Sequence, residues 1–202
     1  MKKLVGIFIM LLSVTVMAGN GDGGMDLGDK AALTHIKMLD VSGEKISLGE
    51  VKGENGLLVL FSSNTCPFVK QWEARYIEIK KYADKKGVGM IVLNSNHTNR
   101  DGVDSYEAMQ KHANDKGYNF YYAVDEESQI ANSFGGQTTP HAFLFDGDMQ
   151  LAYKGAIDDS YKSAADVKKA YLKDAISSLA NGEEIAIAET KPTGCSIKRK
   201  LD

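Results

Sequence analysis

Runs of apolar residues with the length of a strand alternate with helical patterns along most of this chain. Continuous apolar runs bounded by turn-forming residues predict buried strands, at 57–61, 88–93, 120–124 and 141–145. Apolar residues that recur at every third or fourth position predict amphipathic helices, over 67–86, 104–116, 126–134 and 163–179. We expect Asp104 to cap the second of these helices and Gly182 to end the last.

Hairpin patterns lie on either side of this alternating region. Residues 32–48 hold two short apolar segments around a Ser-Gly turn, which predicts an N-terminal β-hairpin. An Asp-Gly-Asp turn at 146–148 predicts that the strand before it pairs with another at 151–154. The alternation of strands and helices indicates an α/β fold, with a central mixed β-sheet and helices on both faces. In such sheets, reactive groups collect beyond the carboxyl ends of the strands.

The first residues have the pattern of a secretory signal peptide. Lys2 and Lys3 precede an apolar run over 4–16, and Val16-Met17-Ala18 presents small residues where a signal peptidase cleaves. The apolar run is too short to span a membrane, and no stop-transfer segment follows it. We therefore expect cleavage near Ala18 and a periplasmic or secreted mature protein with no membrane association.

Composition divides the rest of the chain into a leader, one domain and a tail. The predicted parts are a signal peptide over 1–18, a flexible leader over 19–31, a folded domain over 32–182 and a C-terminal tail over 183–202. The tail has the composition of a solvated end. Loss of two lysines with the signal peptide takes the net charge from −3 to −5, and a mildly acidic protein gives no reason to expect nucleic acid as a partner.

The stretch from residue 57 to residue 73 carries the clearest chemical signal. A buried strand, a turn over 62–65, Cys66 and Pro67 follow one another directly before the longest predicted helix. Proline suits the first turn of a helix, so Cys66 is expected beside unpaired backbone N–H groups at the positive end of the helix dipole. These groups favour the thiolate, which is the reactive form of cysteine.

The only other cysteine, Cys195, lies in the predicted tail. A solvent-exposed cysteine there should titrate near the ordinary pKa of about 8.5. In an oxidising compartment two cysteines commonly form a structural disulfide, and that alternative stays open. The four histidines, and these two cysteines, show no metal-ligand spacing, so we expect neither a metal nor a cofactor. The histidines are His35, His97, His112 and His141.

Short stretches across nearly all of the predicted mature chain carry a resemblance to a known family. They are Cys66-Pro-Phe-Val-Lys, Asn94-Ser-Asn, Asp125-Glu-Glu-Ser-Gln, Thr139-Pro140, Tyr153-Lys-Gly-Ala-Ile-Asp-Asp159 and Gly194-Cys-Ser-Ile-Lys198. With these stretches the chain resembles the peroxiredoxin-like group of the AhpC/TSA-type redoxin family, within the thioredoxin-like superfamily. The resemblance implies a thioredoxin-like fold for the α/β domain. It also implies that Cys66 is the redox nucleophile, that Cys195 is the resolving cysteine and that Pro140 is a cis-proline facing Cys66.

The same resemblance implies a set of residues around the sulfur. The Ser63 hydroxyl matches the position that assists the thiolate, while Thr65 and Pro67 flank it and are expected to contact substrate. The backbone of Thr139, beside Pro140, should offer hydrogen-bonding groups to an extended substrate. Two family features differ here, because Ser63 replaces the cysteine of a Cys-x-x-Cys motif and Val59 replaces a peroxiredoxin proline.

The resemblance predicts a thiol-dependent oxidoreductase of the peroxiredoxin-like kind. Its partners would be a hydroperoxide or a protein disulfide, together with an external thiol reductant. The sequence leaves two alternatives open: a thiol-disulfide exchange protein, and a non-enzymatic binding module with a structural disulfide between the two cysteines. It also leaves open the oligomeric state and which arginine serves the thiolate. The arginines are Arg75, Arg100 and Arg199.

Overall fold

The computed structural model describes residues 24–200 and places a five-stranded mixed sheet at the centre of the fold. The strands of this sheet are β3 (Gly56–Ser62), β4 (Val88–Asn94), β5 (Tyr121–Val124), β7 (His141–Phe145) and β8 (Leu151–Gly155), in the order β5-β4-β3-β7-β8. Strands β3, β4 and β5 are parallel, whereas β7 is antiparallel to both β3 and β8. The predicted mixed sheet is confirmed.

Strand β3 shows why the central strands are continuously apolar. Leu58 and Leu60 pack into the core on one face of the sheet, while Leu57, Val59 and Phe61 pack into the core on the other. Alternate side chains of a strand point to opposite faces, so a strand covered on both sides needs apolar residues at every position.

Six α-helices in the described part of the chain, residues 24–200, cover the two faces of the sheet. They are α1 (Leu48–Val51), α2 (Pro67–Trp72), α3 (Tyr76–Lys85), α4 (Tyr106–Lys116), α5 (Gln129–Phe134) and α6 (Tyr171–Asn181). Residues of α2, α3, α4 and α6 join the core on one face, and residues of α1 and α5 join the core on the other. The prediction of helices on both faces is confirmed.

Three predicted helices are shorter or broken in the structure. The helix predicted over 126–134 is preceded by a 3-10 turn, Glu126–Ser128, and starts at Gln129. The helix predicted over 67–86 is divided by a 3-10 turn, Glu73–Arg75, where the buried Glu73 carboxylate turns inward to His112 and Lys116.

The helix predicted over 163–179 starts only at Tyr171. Before it, the Asp159 carboxylate accepts a hydrogen bond from the Lys168 N–H, and the Asp159 N–H donates to the Lys169 carbonyl oxygen. Only a 3-10 turn, Ala164–Asp166, forms in this loop.

The helix predicted over 104–116 has its cap one residue later than expected. Its cap is Ser105, whose hydroxyl accepts a hydrogen bond from the Ala108 N–H. Asp104 instead turns inward and is fully buried. Both residue types are good caps, and the inward position of Asp104 depends on partners that are distant in sequence.

The N-terminal hairpin forms from β1 (Met38–Leu39) and β2 (Lys45–Ile46), as predicted. The chain before it is also held to the domain: Met25 is buried, and its N–H donates to the Phe134 carbonyl oxygen. The flexible leader predicted over 19–31 is therefore not seen in its described part, residues 24–31. The predicted signal peptide lies outside the described residues. Within residues 24–200, no helix is long and apolar enough to cross a bilayer.

The tail after Gly182 folds back onto the domain rather than forming a solvated end. Thr190 and Ala188 exchange backbone hydrogen bonds with Lys154 of strand β8. Further on, β9 (Cys195–Ser196) pairs antiparallel with β6 (Thr138–Thr139), and Ile197 is buried in the core. The expectation of a solvated end is wrong because these pairings provide partners for the tail backbone.

Candidate active site

Cys66 lies at the carboxyl end of the central strand β3, in the turn that leads into helix α2. Pro67 occupies the first turn of that helix, and Cys66 is its N-cap residue. The Cys66 side chain is only 4% exposed. The predicted sequence of strand, turn, cysteine and helix is therefore present, and it places the sulfur beside backbone N–H groups that no helical carbonyl satisfies.

Two short antiparallel strands bring the second cysteine to the first. The peptide bond between Thr139 and Pro140 is cis, and Thr139 lies opposite Cys195 in the β6–β9 pair. The Cys66 sulfur is 3.0 Å from the Thr139 carbonyl oxygen and 2.8 Å from the Cys195 sulfur. Both cysteines are free thiols. The structure thus joins Cys66, Thr139, Pro140 and Cys195 in one site.

The other predicted site residues have different surroundings. The Ser63 hydroxyl accepts a hydrogen bond from the Cys66 backbone N–H at 3.1 Å, so it holds the turn beside the sulfur. Thr65 and Pro67 are exposed on either side of the buried Cys66. They border the site on its solvent side, whereas Ser63 lies below it.

The two thiols differ in acidity. Burial opposes ionisation of Cys66, but hydrogen bonds, chiefly from the Cys195 side chain, lower the pKa of the Cys66 thiol. Burial and the neighbouring Cys66 sulfur raise the pKa of the Cys195 thiol to about 11. The expectation of an ordinary pKa for Cys195 is therefore wrong, because the tail is docked and the second sulfur meets the first. In the neutral state the Cys66 thiol donates to the Thr139 carbonyl oxygen and to the Cys195 sulfur. Once Cys66 is ionised, the Cys195 thiol is the neighbour that can donate a hydrogen bond to it.

All three arginines have partners away from the two sulfurs. Arg75 bonds to Asp158 and Ser160, and Arg100 bonds to the backbone carbonyls of Asp104 and Asn94. Arg199 bonds to the Asn132 side chain and the Gly136 carbonyl. Within residues 24–200, none of these guanidinium groups is hydrogen-bonded to Cys66.

An aromatic group beside helix α2 was missed by the sequence analysis. Phe68 follows Pro67 directly, and its ring meets the Tyr161 ring edge to face at 5.2 Å. The Trp72 indole lies behind Tyr161, and its N–H donates to Asp158 at 2.9 Å. Tyr161 lies in the loop after β8, 93 positions after Phe68. No local sequence spacing therefore predicts that the two rings meet.

His141, the histidine next to Pro140, is a neutral structural residue. Burial, followed by the nearby Lys154 charge, lowers the pKa of its imidazole to about 3. Its Nδ1 atom accepts a hydrogen bond from the Gln137 N–H at 3.1 Å. An uncharged ring with an unprotonated Nδ1 fits these surroundings and fixes the chain that leads into Thr139.

Comparison with known proteins gives one family and several solved structures. The model of the AhpC/TSA family matches residues 27–154. A hypothetical protein from Sinorhizobium meliloti 1021 is 28% identical with a TM-score of 0.80, and the alignment covers 89% of this chain and 97% of that one. An uncharacterized conserved protein from Geobacillus kaustophilus is 30% identical with a TM-score of 0.81, and the alignment covers 88% of this chain and 94% of that one.

A more distant structure is peroxidoxin BcpB from Mycobacterium tuberculosis. It is 15% identical with a TM-score of 0.59, and the alignment covers 78% of this chain and 97% of that one. At this identity the likeness concerns the fold alone. No curated protein sequence matches the chain. Together the matches confirm the predicted α/β fold of the thioredoxin-like class.

We predict that Cys66 reacts faster than Cys195 with an alkylating reagent at neutral pH. The pKa of Cys66 is lowered and that of Cys195 is raised, so the thiolate fraction of Cys66 is the larger one until strongly alkaline pH. Alkylation of the reduced protein from pH 5 to pH 11, followed by peptide mass spectrometry, measures the reaction rate of each thiol as a function of pH. Equal rates at neutral pH would contradict the assigned asymmetry.

The hydrogen bond between the sulfurs can be tested in the same experiment. Cys195→Ala removes the donor and should raise the pKa of Cys66, whereas Cys195→Ser keeps a hydroxyl donor and should raise it less. A Cys66 profile in Cys195→Ala that is identical to the wild-type profile would mean that Cys195 does not stabilise the thiolate.

We also predict that Gly194→Ala loosens the tail and slows disulfide closure. An added Cβ would lie 2.3 Å from the Thr139 carbonyl oxygen, so the tail must move away from β6. A displacement of about 1 Å can cost roughly a hundredfold in rate. The control is Gly102→Ala, where the nearest atom lies at 3.8 Å. After one equivalent of oxidant, closure as fast in Gly194→Ala as in the control would contradict this role.

Proposed function

The chain belongs to the AhpC/TSA family of thiol-based redoxins, and from this premise we propose that it is a thiol peroxidase that cycles through an intramolecular disulfide. The observation that supports the proposal is the distance of 2.8 Å between the Cys66 and Cys195 sulfurs. One of these thiols is buried and has a lowered pKa, and the other lies within hydrogen-bond distance of it. This difference in burial and pKa suits Cys66 as the nucleophile and Cys195 as the resolving cysteine.

The proposed cycle has three balanced steps. The Cys66 thiolate attacks one oxygen of a hydroperoxide, the O–O bond breaks, and that oxygen stays on sulfur as the hydroxyl of a sulfenic acid. The other oxygen leaves as the alcohol or water after protonation. The Cys195 sulfur then displaces the hydroxyl of the sulfenic acid as water and forms the disulfide. An external dithiol, or two equivalents of a thiol, reduces the disulfide and returns both cysteines to the thiol state.

The accessibility of Cys66 favours a small oxidant. The sulfur is almost fully buried, and the Thr138–Thr139 edge beside it is already paired with the protein's own tail. An extended protein substrate would have to displace the tail before it could pair with this edge, whereas a hydroperoxide is small and has no backbone that must pair there. The Phe68 and Tyr161 rings near the start of helix α2 would suit the organic part of an alkyl hydroperoxide.

A protein disulfide is the second candidate oxidant, and the arginine side chains favour it. Peroxide activation benefits from a guanidinium group beside the thiolate. Here Arg75 and Arg100 are bonded to other groups, and Arg199 is held at Asn132. Thiol-disulfide exchange needs no such group, because the attacking thiolate and the leaving thiolate carry the charge.

The proposed place of action is outside the cytoplasm. The support for it is the signal-peptide pattern over 1–18. A disulfide cycle in that compartment needs a reducing partner delivered there, because the surroundings are oxidising. We therefore include an exported or membrane-delivered thiol reductant in the proposal.

A single-turnover experiment tests the peroxidase proposal. The reduced protein is treated with one equivalent of hydrogen peroxide or tert-butyl hydroperoxide, and its thiols are counted before and after. We expect one equivalent to convert both thiols to the Cys66–Cys195 disulfide. Cys195→Ser should instead accumulate Cys66 sulfenic acid, trapped by dimedone and identified by mass spectrometry. Cys66→Ser is the matched control and should consume no peroxide.

The same preparation separates the other candidates. Faster oxidation by a protein disulfide than by either peroxide would favour the exchange function. A disulfide that resists millimolar dithiothreitol would favour a structural bond, because redox-active disulfides are readily reduced. An unmodified Cys66 thiol in Cys195→Ser, after challenge with both oxidants, would rule out Cys66 as the nucleophile.

A further inference from the structure

One fully buried carboxylate connects the loop that carries Cys66 to the tail that carries Cys195. Asp104 follows the 3-10 turn His97–Asn99 and immediately precedes the capping residue of helix α4. Its two oxygens accept hydrogen bonds from the Asn64 backbone N–H at 2.9 Å and from the side-chain amides of Asn94 at 2.8 Å, Asn96 at 2.9 Å and Asn99 at 3.3 Å. A desolvated carboxylate needs several donors, and four are present.

The first branch of this network fixes the turn before Cys66. Asn64 lies two positions before the cysteine, and its backbone N–H is held by Asp104. The side chain of Asn64 donates to the Val103 carbonyl and accepts from the Tyr122 hydroxyl. The turn that carries Cys66 is therefore tied to β4, to β5 and to the loop before α4.

The second branch reaches the tail. Asn96 donates its side-chain amide to Asp104, and its side-chain oxygen accepts the Lys198 backbone N–H at 2.9 Å. The Lys198 carbonyl in turn accepts the Thr98 N–H at 3.1 Å. Lys198 lies three positions after Cys195. These bonds hold the tail on the C-terminal side of Cys195, while the β6–β9 pairing holds it at Cys195 itself.

We propose that Asp104 is a positioning residue that sets the distance between the two sulfurs and so controls disulfide closure. The inference rests on the proposed function, since it concerns the step in which Cys195 resolves Cys66. Asp104 reaches Cys66 through Asn64 and Cys195 through Asn96, and it touches neither sulfur. Holding both reacting groups in one geometry raises their effective concentration, and this advantage is lost with displacements of about 1 Å.

Asparagine is the substitution that tests the acceptor role of Asp104 most specifically. Asp104→Asn keeps the size of the side chain but replaces one acceptor oxygen with an NH₂ group. That group must face N–H donors, so at least one branch of the network is released. Helix α2 keeps its N-terminus and its N–H groups near Cys66, because they do not contact Asp104.

The experiment measures closure separately from reactivity. The equilibrium between the Cys66–Cys195 disulfide and a glutathione redox buffer gives the effective concentration of the thiol pair in the folded protein. We expect Asp104→Asn to lower it about tenfold or more. The pH profile of Cys66 alkylation, measured in a Cys195→Ser background, should be the same with Asp104 and with Asn at that position.

Two further variants separate positioning from stability. Asp125→Asn is the matched control: Asp125 is also buried, and it accepts hydrogen bonds from Ser95 and from the Ile130 and Ala131 N–H groups. Asp125→Asn should lower the free energy of unfolding without changing the effective concentration of the thiol pair. Asn96→Ala releases the tail branch alone and should lower the effective concentration even if Asp104→Asn does not fold.

The outcomes for the two proposals are distinguishable. If the wild-type protein forms no Cys66–Cys195 disulfide with any oxidant, the proposed function fails. If the wild type closes and Asn96→Ala closes with the same effective concentration, the positioning role of this network is overturned. The same conclusion follows if a folded Asp104→Asn closes like the wild type, or if Asp125→Asn lowers the effective concentration as much as Asp104→Asn does.

Discussion

Pairing between the β6 edge and the tail strand β9 is the interaction on which this site depends. It involves two residues on each side, yet it brings together two sulfurs that are 129 positions apart in sequence. Fixing the backbone of a tail costs roughly 1–2 kcal/mol per residue in conformational entropy. The contacts that offset this cost are spread along the tail, from the backbone bonds at Lys154 to the buried Ile197 and the bond between Lys198 and Asn96. The sulfur pair is thus held by many weak contacts rather than by one strong one.

The same docking explains why the two thiols differ. Cys66 belongs to the sheet and helix framework, so its burial is fixed by β3 and α2, and its charge is stabilised by donors that the framework and the tail supply. Cys195 gains burial only by docking, and it gains a neighbouring sulfur that disfavours a second charge. A pair of thiols in which only one ionises readily avoids repulsion between two thiolates at short distance. The proton that remains on Cys195 is then the one that bridges the pair.

The sequence predicted features set by local pattern and missed features set by distant partners. Apolar runs and their turns are local, so the strands around Phe61 and the position of Cys66 at the start of helix α2 could be predicted. Asp104 shows the limit: a carboxylate before a helix has the same sequence signal whether it caps the helix or turns inward, and only Asn64 and Asn96 decide between these positions. The closeness of Cys195 was implied by family resemblance, but its docking strand pairs residues more than fifty positions apart and has no periodic signal.

The order of the elements along the chain has a consequence for biosynthesis. Every strand of the central sheet is complete by Gly155, forty positions before Cys195. The chain is made, and would be exported, from its N-terminus, so the strands that hold Cys66 emerge before the second sulfur does. Until Cys195 docks, the site has one thiol, Cys66, and strand β6 has no pairing partner in the tail. Docking of the residues around Cys195 converts this one-thiol intermediate into a two-thiol centre, so a chain truncated before Cys195 would keep the strands of the sheet without the second sulfur.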